Sequence, residues 1–256
     1  MLNPRIIPVL LVRNKGLVKT IKFKNEKYLG DPLNAVKIFN EKKVDELIIL
    51  DIDASVFGLE PDYKMIEKLA LECRMPLCYG GGIKTIAQGE KILGLGVEKI
   101  SLSSIVFEKP EIISELSRRV GRQSVVVVLD VKKISFSNKY ECFTYNGKKN
   151  QKVCPIEYSV KISNMGAGEI VINSIDNDGM MTGYDLDLIH QVKSAVTVPV
   201  TALGGAGKYS DIKNLIKKEG IIGAAAGSMF VFKGKYKAVL INYPTNIEKK
   251  NFFSVF

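Results

Sequence analysis

The feature that most restricts how this chain can fold is a long internal repeat. The segment "MPLCYGGGIKT" (75–85) matches "VPVTALGGAGK" (198–208), and "DELIILDIDAS" (45–55) matches "GEIVINSIDND" (168–178), both at an offset of 123. A third pair, "GVEKISLSS" (96–104) and "GIIGAAAGS" (220–228), is offset by 124. The period far exceeds that of solenoid repeats, so each copy holds several supersecondary units. Short apolar runs recur at 6–12, 46–51, 75–79, 98–102, 124–130, 169–173, 198–202 and 222–226. Between most of them lie amphipathic stretches long enough for a crossover helix, among them "DPLNAVKIFNEKK", "PDYKMIEKLALEC" and "YSDIKNLIKKEG". Eight alternating strand–helix units in two similar halves predict an α/β fold, a closed (βα)8 TIM barrel. One barrel domain over 1–256 is expected, with half-barrels at about 1–122 and 123–235 and a tail at 236–256.

Local signals agree with that frame. Asp31 followed by Pro32 marks a helix start, and Gly96, Gly121 and Gly220 stand where helices should stop. After the fifth run the pattern breaks into "KKISFSNKYECFTYNGKKNQK", whose "SNK" and "NGK" turns between β-rich runs predict a hairpin inserted in that loop. The final "KGKYKAVLINYPTNIEKKNFFSVF" is less regular, and a short helix over "KYKAVLI" is expected to cover the barrel.

Composition narrows the function classes. The formal charge of +10 admits nucleic acid, an anionic small molecule or an acidic protein face as partner. Lysines are scattered, forming no stripe, and no RNA-binding aromatic motif accompanies them, so nucleic acid is not expected and a phosphorylated small molecule is the best functional alternative to plain solvated helix faces. No segment approaches the ~20 apolar residues that span a bilayer. Cys73, Cys78, Cys142 and Cys154 show no C-x-x-C spacing, and His190 is the single histidine. The expectation is a soluble, cytoplasmic protein with reduced thiols, no metal and no cofactor.

Two constellations carry chemistry. Gly80, Gly81 and Gly82 follow the third strand, and Gly204, Gly205 and Gly207 follow the seventh. Ser103 and Ser104 after the fourth strand, with Gly227 and Ser228 after the eighth, add donors beside each cluster. Glycines there serve tight turns, or they let backbone N–H groups approach an anion; the added serines favour two phosphate sites across the mouth. At the opposite end, period-two alternation sends Arg5, Glu46, Lys99 and Glu169 inward at the starts of strands one, two, four and six. Four inward charges of alternating sign are expected to meet, because an unpaired one would be costly.

Residues "RIIPVLLV", "FKN", "GDP", "LDIDAS", "GGGIKT", "MGAGEI", "DNDGM", "GYDLDL" and "GGAGK" fall in the order and spacing of a known family. From its first residue to about residue 235 the chain resembles the cyclase subunit of imidazole glycerol phosphate synthase, the HisF family. The resemblance implies a docked glutaminase of the class I, HisH-like type at the barrel bottom. It further implies that ammonia passes a charged gate, here Arg5, Glu46, Lys99 and Glu169, and joins a bis-phosphate substrate that is cleaved and cyclised. Lys19 matches a substrate-loop lysine of the family, and Asp176 and Gly179 fall among its substrate-binding positions.

One departure is chemical. The family uses two aspartates as general acid and base, and the matching positions are Leu11 and Asp130. Loss of one such group costs ~10²–10⁴ in rate. Asp51, Asp53, Asp176 and Asp178 are the nearby carboxylates that could substitute, Asp176 first. A gate without the first aspartate resembles a divergent branch associated with surface-polysaccharide biosynthesis. There the barrel and its glutaminase feed ammonia to a separate ATP-dependent amidotransferase acting on a sugar. The alternatives are an ordinary histidine-pathway cyclase with a relocated acid, and a non-catalytic conduit or scaffold.

Overall fold

The computed structural model describes residues 3–135 and 139–253. Eight parallel strands close on themselves: β1 (Arg5–Arg13), β2 (Leu47–Asp51), β3 (Leu77–Gly80), β4 (Lys99–Leu102), β5 (Val125–Lys133), β6 (Glu169–Ser174), β7 (Val200–Leu203) and β8 (Gly223–Ala226). Each pairs with the next, β8 pairs with β1, and β5 with β6 completes the ring. The fold is the (βα)8 barrel. Strands buried on both faces need near-continuous apolar runs, and β5 supplies one in Val125, Val126, Val127, Val128 and Leu129, all buried.

Alternation splits the core into two layers. Ile6, Leu10 and Val12 of β1 face outward into the cluster between barrel and helices. Ile7 and Val9 face inward and pack with Ile48, Cys78, Val126, Val128, Val171, Leu203 and Ala225 in the lumen. Helices cover the barrel: α1 (Pro32–Glu41), α2 (Tyr63–Glu72), α3 (Ile86–Gly94), α4 (Glu111–Val120), α5 (Pro155–Asn164), α6 (Leu186–Ala195), α7 (Tyr209–Glu219) and α8 (Asn246–Phe253). Several of their starts are built from short polar side chains. Asp31 accepts from the Leu33 N–H with Pro32 next in line, and Thr85 with Gln88 forms a reciprocal capping box. At the other end, Gly121 and Gly220 cap α4 and α7 with φ of 86° and 70°, a region that glycine enters at little cost.

Two antiparallel excursions rise from the mouth. After β1, Gly16–Ile21 pairs back on β1 and on Lys24–Gly30, an excursion that sequence patterning missed because its outer strand is polar and exposed. After β5, Tyr140–Thr144 pairs with the extended end of β5 and with Lys149–Asn150. Phe136, Ser137 and Asn138, which hold most of the expected "SNK" turn, lie outside the described residues. The C-terminal expectation needs correction. "KYKAVLI" is not helical; Gly234–Lys237 forms a turn, and Ala238–Val239 pairs with Phe232–Lys233. The covering helix is instead α8, where the Thr245 N–H donates to Glu248 and the Glu248 N–H donates back to the Thr245 hydroxyl.

Candidate functional site: a cavity at the mouth and a charged ring at the base

The strand starts carry the ring. Arg5 opens β1, Lys99 opens β4, Glu169 opens β6, and Glu46 directly precedes β2. All four meet in the lumen. Arg5 Nη2 lies 2.7 Å from Glu169 Oε1, and its Nη1 bonds to Glu46. Lys99 Nζ lies 2.8 Å from Glu46 Oε1 and 2.9 Å from Glu169 Oε2. The Thr201 hydroxyl of β7 donates to Glu169 at 2.6 Å. Both carboxylates are buried, which is tolerable because each touches two cations. Burial alone would push Glu169 up; Arg5 and Lys99 outweigh it and hold the group below its ordinary value.

Above the ring the lumen is hydrocarbon, up to Leu11 and Leu50 at its top. Beyond lies a cavity of about 230 Å³ at the C-terminal ends of the strands. Leu11 and Asp130 both line it. Asp130 accepts a hydrogen bond from Asn173 Nδ2 at 2.8 Å. Burial pushes its carboxyl up to about 7, the Asn173 bond opposes this, and Asp178 adds to it. Asp178 is itself held above its ordinary value by burial, against the pull of Lys19 and of the Thr20 and Phe23 hydrogen bonds. Asp51 also lines the cavity and is raised by burial, although the Asp53 and Ala54 N–H groups bond to it. Asp53 is turned to Arg13.

Lys19 is buried, and its Nζ donates to the Val9 carbonyl at 2.6 Å. A Cβ on Gly227 would stand 2.2 Å from that nitrogen, so glycine there makes room for the ammonium. Burial lowers the Lys19 pKa to about 8, with Asp178 opposing.

The two glycine clusters differ. Gly81, Gly82, Ser103 and Ser104 all line the cavity. In the second set only Gly227 does; Gly179, Gly204, Gly205 and Ser228 do not. Packing accounts for their small size: a Cβ on Gly205 would lie 2.0 Å from the Gly183 carbonyl, and one on Gly179 would lie 2.3 Å from that of Thr20. Asp176 is likewise outside the cavity, its carboxylate accepting the Lys133 N–H at 2.9 Å, and Asp178 lines the wall instead. Asn173 escapes a reading of sequence motifs, yet the alternation that sends Glu169 inward also reaches Asn173, four residues on. The contacts that tie the excursions over the mouth carry no sequence signal either. Arg13 pairs with Glu26, Asn146 Nδ2 donates to the Ile52 carbonyl at 2.9 Å, and Tyr145 bonds to Glu108.

Among the described residues no helix is long and apolar enough to cross a membrane, and no group of three or more acidic, cysteine or histidine side chains is placed to hold a metal.

Comparison with known proteins gives a consistent picture. The profile of a family described as "Histidine biosynthesis protein" matches residues 5–237. A protein of Vibrio vulnificus (strain YJ016), named "Putative imidazole glycerol phosphate synthase subunit hisF3", is 66% identical over 250 residues, 98% of this chain and 96% of its own length. One of Leptospira interrogans, "Putative imidazole glycerol phosphate synthase subunit HisF", is 55% identical over 99% of this chain and 100% of its own. "Imidazole glycerol phosphate synthase subunit HisF" of Lactococcus lactis subsp. cremoris (strain MG1363) is 39% identical over 90% and 89%.

Two outcomes are expected from this geometry. Inorganic phosphate should shift the backbone NMR resonances of Gly81, Gly82 and Ser104 in a titration, with smaller effects at Gly204 and Gly205; shifts confined to surface lysines would remove the anion site. The second concerns pH. With a folded pKa of about 7 against an ordinary 3.8, Asp130 binds a proton in the native state that the unfolded chain has released. Stability therefore falls as pH rises from about 4 to about 7. Asp130→Asn, which keeps an acceptor for Asn173, should be more stable than the parent at pH 8, by on the order of a few kcal/mol. The difference should vanish near pH 4 in chemical denaturation; a gap that is independent of pH would contradict it.

Proposed function

The chain belongs to the histidine biosynthesis protein family, as a HisF-type imidazole glycerol phosphate synthase subunit, and from that premise we propose how its two ends divide the work. The base receives ammonia from a HisH-like glutaminase docked beneath the ring. Arg5, Glu46, Lys99 and Glu169 form the gate, and the apolar lumen above them favours neutral ammonia over ammonium, since an unpaired cation there would be poorly solvated. The mouth holds a phosphorylated acceptor on Gly81, Gly82, Ser103 and Ser104, with Lys19 as a second cationic contact beside Gly227. Asp130 is the proton-transfer group, and a carboxyl titrating at about 7 can both give and take a proton near neutrality.

The observation that carries the finer reading is Leu11. It lines the same cavity as Asp130, where the family's cyclisation needs a second aspartate. We read the subunit as a diverged paralogue that delivers ammonia for amidation of a surface-polysaccharide sugar, with an ATP-dependent sugar amidotransferase as third partner. One observation favours a second reading, a cyclase with a relocated acid: Asp178 lines the cavity and has a raised pKa. A non-catalytic conduit is what remains if neither chemistry is found.

The direct test supplies the barrel with the histidine-pathway bis-phosphate and free ammonia. Activity should be absent or at least ~10²-fold below that of a relative bearing both aspartates. Leu11→Asp should restore little, because Val9 and the lumen would desolvate the new carboxylate. A rate equal to the authentic cyclase would establish the second reading. Sugar amidation requires nitrogen-15 from the glutamine amide to enter an acetamidino sugar in the complete complex, and to be lost when the barrel alone is omitted. Lys99→Met should lower stability, because Glu46 and Glu169 each lose a cation, yet leave the barrel folded while changing the ratio of glutamine hydrolysed to ammonia used. A glutaminase indifferent to the barrel would end the channel proposal.

A further inference from the structure

The C-terminal segment closes the seam between β1 and β2 at the base of the barrel. Tyr243 is buried, and its hydroxyl donates to the Ile6 carbonyl at 2.8 Å and accepts the Asp45 N–H at 3.1 Å. The Asp45 carboxylate accepts the Ile6 N–H at 2.9 Å and pairs with Lys249 Nζ of α8 at 2.7 Å. The backbone ladder between these strands is registered from Val9 opposite Ile48 upward. Below that level the two strands are joined by the Tyr243 hydroxyl and the Asp45 carboxylate.

The position of the clamp matters. Ile6 and Asp45 are the chain neighbours of Arg5 and Glu46, which bond to each other in the ring. In β1 a one-residue step reverses the facing of the side chain, and Asp45 directly precedes Glu46, so a hold on Ile6 and Asp45 fixes the backbone from which Arg5 and Glu46 project inward. Covering the barrel does not call for such a hold. The aromatic contacts Tyr209–Phe252, with centroids 5.4 Å apart, and Phe230–Tyr243, 5.5 Å apart, already dock the segment through hydrocarbon. A phenol hydroxyl buried on a strand seam adds direction that packing lacks.

We propose that Tyr243 and Lys249 are positioning residues for the Arg5–Glu46 arm of the ring, so that the C-terminal segment sets the geometry of the gate. The consequence for ammonia rests on the gate reading given above; the structural coupling does not.

The test uses the full chain and reads the ring by NMR. Tyr243→Phe keeps the aromatic packing and removes the bridging oxygen, and Lys249→Met removes the outer arm. Each should shift the Arg5 Nε–H resonance and speed its exchange with water, by roughly tenfold for Tyr243→Phe. Phe252→Ala loosens α8 while leaving every clamp atom in place, so it should lower Tm and shift Arg5 far less than Tyr243→Phe does at equal loss of stability. An Arg5 signal indifferent to both clamp variants overturns the proposal. So does a signal that moves in all three in proportion to lost stability, which marks the segment as packing alone. A glutaminase readout separates the two ideas: Arg5 loosened with no change in ammonia escaping to bulk would sink the gate and leave the positioning role standing.

Discussion

A closed barrel gives an inward side chain no lateral exit, and the rest of this structure follows from that constraint. Every second residue of each strand must be satisfied inside the lumen. Most are Val, Ile, Leu or Ala and meet one another. The charged exceptions at the base satisfy themselves only as a set, because each carboxylate needs two cations and each cation two carboxylates. Removal of any one member leaves a buried charge short of a partner, which is the costly case. Alternation, closure and charge complement are thus one requirement.

The mouth obeys different rules because water and ligand can reach it. Asp130 sits where a hydrocarbon wall, Leu11 included, removes solvent, and one amide donor replaces it. A second carboxylate at position 11 would have pushed one acid up by like-charge repulsion, whereas here burial is the larger cause of the shift. Lys19 completes the group from the other side. Its burial between the Val9 carbonyl and Gly227 places a cation near Asp178. The mouth therefore holds groups titrating close to neutrality, with a hydrocarbon side chain at position 11.

What was legible in the sequence was periodic. Eight apolar runs and the half-barrel repeat give the barrel, and parity alone brings Arg5, Glu46, Lys99 and Glu169 to one place. What was illegible depends on loops crossing between elements. Glycine after a strand reads alike whether a ligand or another backbone approaches it: Gly205 meets the Gly183 carbonyl and Gly81 that of Asp51, so only the cavity beside Gly81 and Gly82 sets the first cluster apart. Asp176 and Asp178 are two residues apart in one loop, so pattern cannot say which turns to the cavity; the Lys133 N–H takes the former. The C-terminal helix was misplaced because "KYKAVLI" has helical spacing of apolar residues, while Thr245 and Glu248 provide the cap that starts α8.

The two halves of the repeat consequently contribute different residues to the mouth. The first presents Gly81 and Gly82 to the cavity and carries Leu11 at the register where the second carries Asp130. The second keeps its acid, Asp130 with Asn173, and uses Gly204 and Gly205 to let the loop after β6 lie close. A barrel of two equivalent halves would bind and react symmetrically across its axis. Here, in the reading proposed above, an anionic ligand is anchored on one side of the mouth and meets its proton donor on the other. The excursion after β5 reinforces this polarity, since Asn146 reaches the Ile52 carbonyl of the first half and ties the acid-bearing side to the glycine-bearing side over the cavity. A bound ligand would touch both halves at once, so the distance between anchor and acid is set by the barrel's diameter and not by either loop alone.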